Sequence, residues 1–237
     1  MRPSAAPTTP TKRSCPLSPD NIAIHPETIE AFRGITTASV SDALQSLGVH
    51  GYADSAIGRV AGGKLVGPAV TVKEEPTTES VPPQHALEAI DSATPGSVMV
   101  IDNGAETNVA AWGGLMTAGA VANGLAGVVI ESGVRDVEEI RRDFDGFAVF
   151  SRSVSPATTV GRFRTVASGV PVTIGGITVN AGDLIVGDGD GIVVVPAALV
   201  NQVREIAEDI ENREKEQTRL ILESGSLLAG LAKYNRI

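Results

Sequence analysis

Short runs of β-branched residues alternate with helix-like segments through the first half of the chain, and this pattern most restricts what it can fold into. Ser97-Val98-Met99-Val100-Ile101-Asp102 follows the turn Pro95-Gly96, and Leu125 to Ile130 forms a second apolar run opened by Gly124. Runs this apolar, bounded by turn residues, read as strands buried on both faces. Between them Trp112 to Asn123 has helical spacing with many small residues, and Val137 to Arg142 begins another helix. Lys64 to Val72 is strand-like, Glu74 to Pro83 reads as a polar loop, and a helix is expected from about Gln84 to Ala89. Upstream, Glu27 to Phe32 reads as a short helix. A second helix follows, ending near Gly48, for which Ser39, Ser41 and Asp42 are capping candidates.

The second half has a different texture. Ala148 to Phe150, Thr158 to Val160, Val170 to Val172, Ile177 to Val179, Asp183 to Val186 and Gly191 to Pro196 are closely spaced strand candidates. Ala198 to about Leu231 reads as one long charged helix. The expected fold class is α/β: a compact domain whose mixed sheet or small barrel is layered with helices, closed by a long C-terminal helix. Residues 1–20, rich in Pro, Ser and Thr, read as a disordered tail, and 21–237 as a single domain.

Charge and composition exclude several classes. A net charge of −9 argues against a nucleic-acid partner, which needs a positive field. The lone Cys15 rules out an intrachain disulfide framework. No run approaches the roughly 20 apolar residues of a membrane span, and no apolar stretch follows the basic N-terminal residues, so a cytoplasmic location is expected. His25, His50 and His85 lack zinc-ligand spacing, and no Gly-x-Ser-x-Gly elbow is present.

Two segments carry candidate chemistry. Arg135-Asp136 follows the run Val128 to Ile130, at the strand end where α/β ligands gather. Arg supplies forked donors to a carboxylate, and Asp a hard oxygen ligand for Mg²⁺ or Mn²⁺. The same residues fit a plainer reading, with Asp136 capping the next helix and pairing with Arg141 or Arg142. Trp112-Gly113-Gly114-Leu115-Met116 opens a helix with glycines, exposing N–H groups that suit an anion; a tight packing turn fits equally. Gly187-Asp188-Gly189-Asp190-Gly191 lacks the acidic ladder of a calcium loop and reads as a turn. No lysine is placed for an imine-forming aldolase.

Taken together, Trp112 to Met116, Gly124 to Ile130, Gly133-Val134-Arg135-Asp136, Gly182-Asp183 and Asp188 to Pro196 resemble the 4-hydroxy-4-methyl-2-oxoglutarate aldolase family. This class II pyruvate aldolase family also includes the regulator of ribonuclease E activity A. The likeness runs from about Thr37 into the terminal helix. It implies a homotrimer or a hexamer with sites between subunits, and a small 2-oxo acid substrate. It further implies Mg²⁺ or Mn²⁺ held by Asp136, Arg135 on the oxo-acid, and the Leu115 and Met116 N–H groups on its carboxylate. Glu216 from the neighbouring subunit is expected to complete the metal site, with Glu211 and Glu214 as alternatives. Pyruvate release and oxaloacetate decarboxylation are the expected activities; a non-catalytic regulator is the alternative. The chain departs from the pattern at Gly114, where catalytic members often carry an acid that helps hold the metal's water shell. It departs again at Glu131-Ser132, where Asp is common; Glu131 offers a compensating carboxylate.

Overall fold

The computed structural model describes residues 24–234. The expected tail and Cys15 lie outside these residues. Two helices, α1 (Pro26–Arg33) and α2 (Thr37–Ser46), lead into strands β1 (Gly58–Ala61) and β2 (Leu65–Pro76). Helix α3 (Gln84–Ser92), β3 (Val98–Asp102), β4 (Ala110–Trp112), α4 (Gly114–Ala122), β5 (Gly127–Val134), α5 (Val137–Asp143) and β6 (Ala148–Val154) form the alternating section. Strands β7 (Phe163–Ser168), β8 (Val172–Ile174), β9 (Ile177–Val179), β10 (Leu184–Asp188) and β11 (Gly191–Val195) follow, before α6 (Val200–Ser224) and α7 (Leu227–Tyr234).

The main sheet runs β1-β6-β5-β3-β2-β10-β11, with β4 added beside β5 and β7 beside β2. Strands β2, β3, β5 and β6 are mutually parallel, whereas β1, β7, β10 and β11 join antiparallel, so the sheet is mixed as expected. It curls toward closure, and the β8–β9 hairpin packs inside the curl: Val172, Ile174 and Val179 share a core with Val100, Val129, Phe150 and Ile185. On the outer face Val72, Ile101 and Ile130 pack with Ala86, Ile90 and Ala120 of α3 and α4. A third core joins α1, α2 and α6 to β10 and β11 through Phe32, Leu44, Val186, Val195 and Val203. Every residue of β5 is buried, which explains its continuous apolar reading.

Several expectations are corrected. Strand β2 extends through Glu74 to Pro76, because antiparallel pairing with β7 carries it past the expected loop boundary. Thr158 to Val160 forms only an isolated bridge from Thr158 to Ala110. Trp112 ends a strand rather than opening the helix. Thr36 caps α2, accepting from the Ser39 N–H, whereas Ser39, Ser41 and Asp42 lie inside the helix. The terminal helix is broken at Gly225, whose φ of 66° ends α6 in the left-handed conformation glycine tolerates.

The Gly187 to Gly191 segment is the tight end of the β10–β11 hairpin, as the turn reading expects. Its Asp188 fastens the hairpin to α2, accepting from Thr37 N–H at 2.8 Å, Thr37 Oγ1 at 2.6 Å and Lys64 Nζ at 3.1 Å. Burial alone would raise the Asp188 pKa, but the bonds from Thr37 and then from Asp190 and Lys64 hold it down at about 2. A depressed carboxyl stabilises the fold above its unfolded pKa, near 3.9, and loses that contribution as pH falls through about 2. Asp188→Asn is therefore expected to lower stability at pH 7 and to flatten the acid limb of a urea-midpoint profile between about pH 4 and 2. An unchanged acid limb would show that the Thr37 contact contributes nothing.

Candidate functional site

Strand β5 and helix α4 bring the two candidate segments together. Strand β4 lies parallel to the end of β5, with Ala110 opposite Gly133 and Trp112 opposite Val134. The Arg135 N–H donates to the Trp112 carbonyl at 3.0 Å, locking the start of α4 to the end of β5. Beneath, Trp112 Nε1 donates to Thr117 Oγ1 at 2.8 Å, and Thr117 Oγ1 donates to the Gly113 carbonyl at 3.1 Å. The indole stacks on Phe147 at 6.1 Å. A buried aromatic with its N–H satisfied gives the loop a rigid floor.

Asp136 stands at the N-cap position of α5, in the left-handed region at φ 58°, yet its side chain makes no capping bond to that helix. Its Oδ2 instead accepts from the Gly114 N–H at 3.0 Å, capping α4 across the site. The plainer sequence reading is thus corrected. Arg141 binds the Val60 carbonyl and Glu138, and Arg142 binds Asp143, so neither pairs with Asp136. A left-handed Asp costs about 1 kcal/mol, and here that conformation turns the carboxylate back onto α4. Arg135 Nε lies 3.7 Å from Asp136 Oδ2, and both side chains are about two-fifths exposed.

The glycines are there because of close approach. A Cβ at Gly113 would meet Asp136 Oδ2 at 2.7 Å and Arg135 Cγ at 3.0 Å. A Cβ at Gly114 would meet Glu139 Oε1 at 2.7 Å. Glu139, in the first turn of α5, therefore fills the space a side chain at 114 would take. Sequence reasoning missed this carboxylate. The visible signal was its spacing three residues after Asp136, which brings a first-turn side chain back over the N-cap. Glu131, the expected substitute, is committed elsewhere. It is buried, accepts from Arg152 Nη2 at 2.6 Å and from the Gly175 N–H at 2.6 Å, and holds the β8–β9 turn.

With Gly114 N–H occupied, the next N–H groups of α4, those of Leu115 and Met116, have no partner within the helix. The Leu115 side chain is 89% exposed beside them. Glu211 of α6 is held by Thr36 N–H at 2.9 Å, Thr36 Oγ1 at 2.8 Å and Ser39 Oγ at 3.1 Å. Burial would raise its pKa, but these bonds lower it below the usual carboxylate value. Glu216 accepts from Tyr234 of α7 at 2.9 Å. Neither touches the Asp136 region of its own chain.

Among the described residues no group of three or more His, Cys, Asp or Glu gathers as a metal cage. Mg²⁺, however, keeps several waters and takes only one or two carboxylates. Asp136, whose Oδ1 makes no hydrogen bond among the described residues, and Glu139 flank one helix terminus and fit that donor set.

In this mixed α/β fold a charged pair at the carboxyl end of β5 faces a glycine-opened helix terminus, the kind of place where small anions bind in α/β proteins. The sequence profile of the RraA-like family (Aldolase/RraA) matches residues 37–194, and the chain belongs to that family. It is 32% identical over 195 residues to a Halalkalibacterium halodurans protein provisionally named 4-hydroxy-4-methyl-2-oxoglutarate aldolase, covering 79% of this chain and 87% of that one. It is 31% identical over 204 residues to Protein DlpA of Legionella pneumophila, covering 86% of this chain but only 33% of DlpA. An uncharacterised Pseudomonas syringae protein matches structurally with a TM-score of 0.79 at 33% identity, over 88% of this chain and 98% of that one. Streptomyces coelicolor RraAS2, described as an unusual member of the RNase ES inhibitor RraA family, matches with a TM-score of 0.77 at 26% identity, over 83% and 99%. No described helix is long and apolar enough to cross a membrane.

Proposed function

We propose that the chain is a divalent-metal-dependent aldolase that releases pyruvate from a 4-hydroxy-2-oxo acid, and that the same site decarboxylates oxaloacetate. The observation that carries this reading is the Asp136 carboxylate turned onto the Gly114 N–H, with Arg135 beside it and Glu139 filling the place of a side chain at 114. The Leu115 and Met116 N–H groups receive the substrate carboxylate at the positive end of α4. The Arg135 guanidinium binds the oxo oxygen. In aldol cleavage the 4-hydroxyl gives its proton to water, the C3–C4 bond breaks as C4 leaves as a carbonyl product, and the electron pair of that bond moves into the oxo group, whose oxygen gains negative charge. Arg135 stabilises that charge in place, and C3 then takes a proton to give pyruvate. In oxaloacetate the bond to the departing carboxylate breaks instead, with the same destination for the electrons.

Mg²⁺ or Mn²⁺, held by Asp136 and steadied through its water shell by Glu139, would supply Lewis-acid polarisation of the oxo group. Glu139 compensates for Gly114, and a carboxylate of a neighbouring subunit's α6 completes the donor set. Glu216 was the first choice from sequence. Glu211 is the alternative through Oε2, since its Oε1 is already taken by Thr36 and Ser39 of its own chain. This reading requires a homotrimer or a hexamer, and the exposed Leu115 suits such an interface.

The test is pyruvate release coupled to lactate dehydrogenase, with and without EDTA. Turnover that stops with EDTA and returns with Mg²⁺ or Mn²⁺ is expected. Turnover indifferent to EDTA and to loss of Asp136 would overturn the metal-dependent mechanism. The second reading, a non-catalytic regulator, is favoured by the glycine at 114 and the likeness to RraAS2. It predicts no turnover of any 2-oxo acid.

A further inference from the structure

Away from Arg135-Asp136, the carboxyl ends of β2 and β3 carry a second polar groove of about 380 Å³, lined by Lys73, Glu74, Glu75, Asn103, Glu106 and Phe163, among others. Its floor is unlike the rest of the molecule. Glu74 is 2% exposed, and its Oε2 has no hydrogen-bond partner. Asn103 is 4% exposed, and neither Oδ1 nor Nδ2 has a partner. These account for three of the five enclosed, unpartnered side-chain atoms among the described residues. Leaving such groups unpaired is costly, so this enclosed set calls for a polar partner, a water or an ion.

The charge balance identifies that occupant's sign. Lys73, the one cation lining the groove, is spent on Asp102, whose Oδ2 it meets at 2.8 Å; the Asp102 oxygens also accept from the N–H groups of Gly104 and Thr173. Glu74, Glu75 and Glu106 leave the groove negative. Burial, and next the charge of Asp102, push the Glu74 carboxyl up to about 7. Above pH 7 Glu74 carries a charge that a neutral occupant would leave unbalanced, whereas one positive charge would cancel it. Among the enclosed atoms of the groove only the Glu74 carboxylate carries a negative charge, which a monovalent cation balances without excess. No cluster of three metal-ligating side chains exists among the described residues.

We propose that this groove binds a weakly hydrated monovalent cation, K⁺ or NH₄⁺, between the Glu74 carboxylate and Asn103 Oδ1. The remaining coordination comes from water, which also accepts from Asn103 Nδ2. The ion pins the end of β2 to the loop after β3, where Gly104 and Ala105 both have positive φ (78° and 66°). It acts on stability and loop order rather than on the pyruvate chemistry, so it stands apart from the aldolase reading.

The experiment compares the melting temperature of the full chain at pH 8 in KCl, NH₄Cl and tetramethylammonium chloride at equal ionic strength. A bulky cation cannot enter an enclosed site. A rise of about 2–4 °C in K⁺ or NH₄⁺ over tetramethylammonium is expected, a change within the usual sensitivity for a chain of this size. The two salts separate the alkali ion from the ammonium. Glu74→Gln, which keeps shape and removes charge, is expected to abolish the difference. A thallous-ion soak of native crystals should place an anomalous peak between Glu74 and Asn103. Equal melting temperatures in all three salts, a salt effect that persists in Glu74→Gln, or a groove filled by water only would each overturn the proposal.

Discussion

Asp136→Ala is expected to lower pyruvate release by at least about 10²-fold and to abolish its response to added Mg²⁺ or Mn²⁺. The magnitude follows from what the side chain does. Its Oδ1 makes no hydrogen bond among the described residues, and its other oxygen accepts from the Gly114 N–H at 3.0 Å. Removing a preorganised electrostatic group from the place where charge develops costs about 10²–10³ in turnover. The substitution also strips a cap from α4, for about 1 kcal/mol of stability. It also adds backbone strain, since Ala tolerates φ 58° less well than Asp does. Asp136→Asn separates these effects. Asparagine keeps the left-handed preference and the cap but loses the charge, so it should restore the melting temperature without restoring turnover. Recovery of turnover in Asp136→Asn would mean that the residue serves backbone geometry alone.

The second large effect is expected at Glu139. Glu139→Ala should reduce metal affinity and turnover by about 10–100-fold, the usual scale for a group that supports a metal from outside its immediate ligands. The side chain is exposed and makes no hydrogen bond among the described residues, so stability should barely change. A Cβ at 114 would come within 2.7 Å of this carboxylate, the far end of an exposed side chain, which would have to move away to make room. Gly114→Asp alone is therefore expected to be worse than the native chain. In the Glu139→Ala background the same Gly114→Asp change should recover part of the lost activity, because the space has been vacated. Additive losses in the double variant would contradict the claim that one carboxylate stands in for the other. Mn²⁺ affinity measured by water-proton relaxation supplies a readout independent of turnover.

Much of this was legible in the sequence for identifiable reasons. Strands β3 and β5 are buried on both faces, so their apolar runs showed without alternation. The Gly124 and Pro95-Gly96 punctuation marked their starts, and the charged pair after β5 pointed to a strand-end site. What escaped was carried by partners distant in sequence. Strand β7 buries only Thr165 and is specified by pairing with the far end of β2, not by its own composition. Strands β1 and β4 are short and gain their order from β6 and β5. Glu131 looked available because it precedes the site in the chain, yet the β8–β9 turn brings Gly175 onto it from 44 residues away. The break at Gly225 could have been read, since glycine followed by serine is a common helix end. Asp136 shows the limit most clearly: its cap position was legible, but which helix its carboxylate serves depends on how β4 registers against β5.

The central claim is that Asp136, Arg135 and the opening of α4 form one site for a 2-oxo acid and its metal. The most direct measurement is a crystal structure of the assembled protein soaked with Mg²⁺ and pyruvate. The account predicts a metal beside Asp136 and Glu139, the pyruvate carboxylate on the Leu115 and Met116 N–H groups, and Arg135 on the oxo oxygen. Pyruvate bound elsewhere, or this helix terminus filled by water while metal and pyruvate are present in excess, would contradict it.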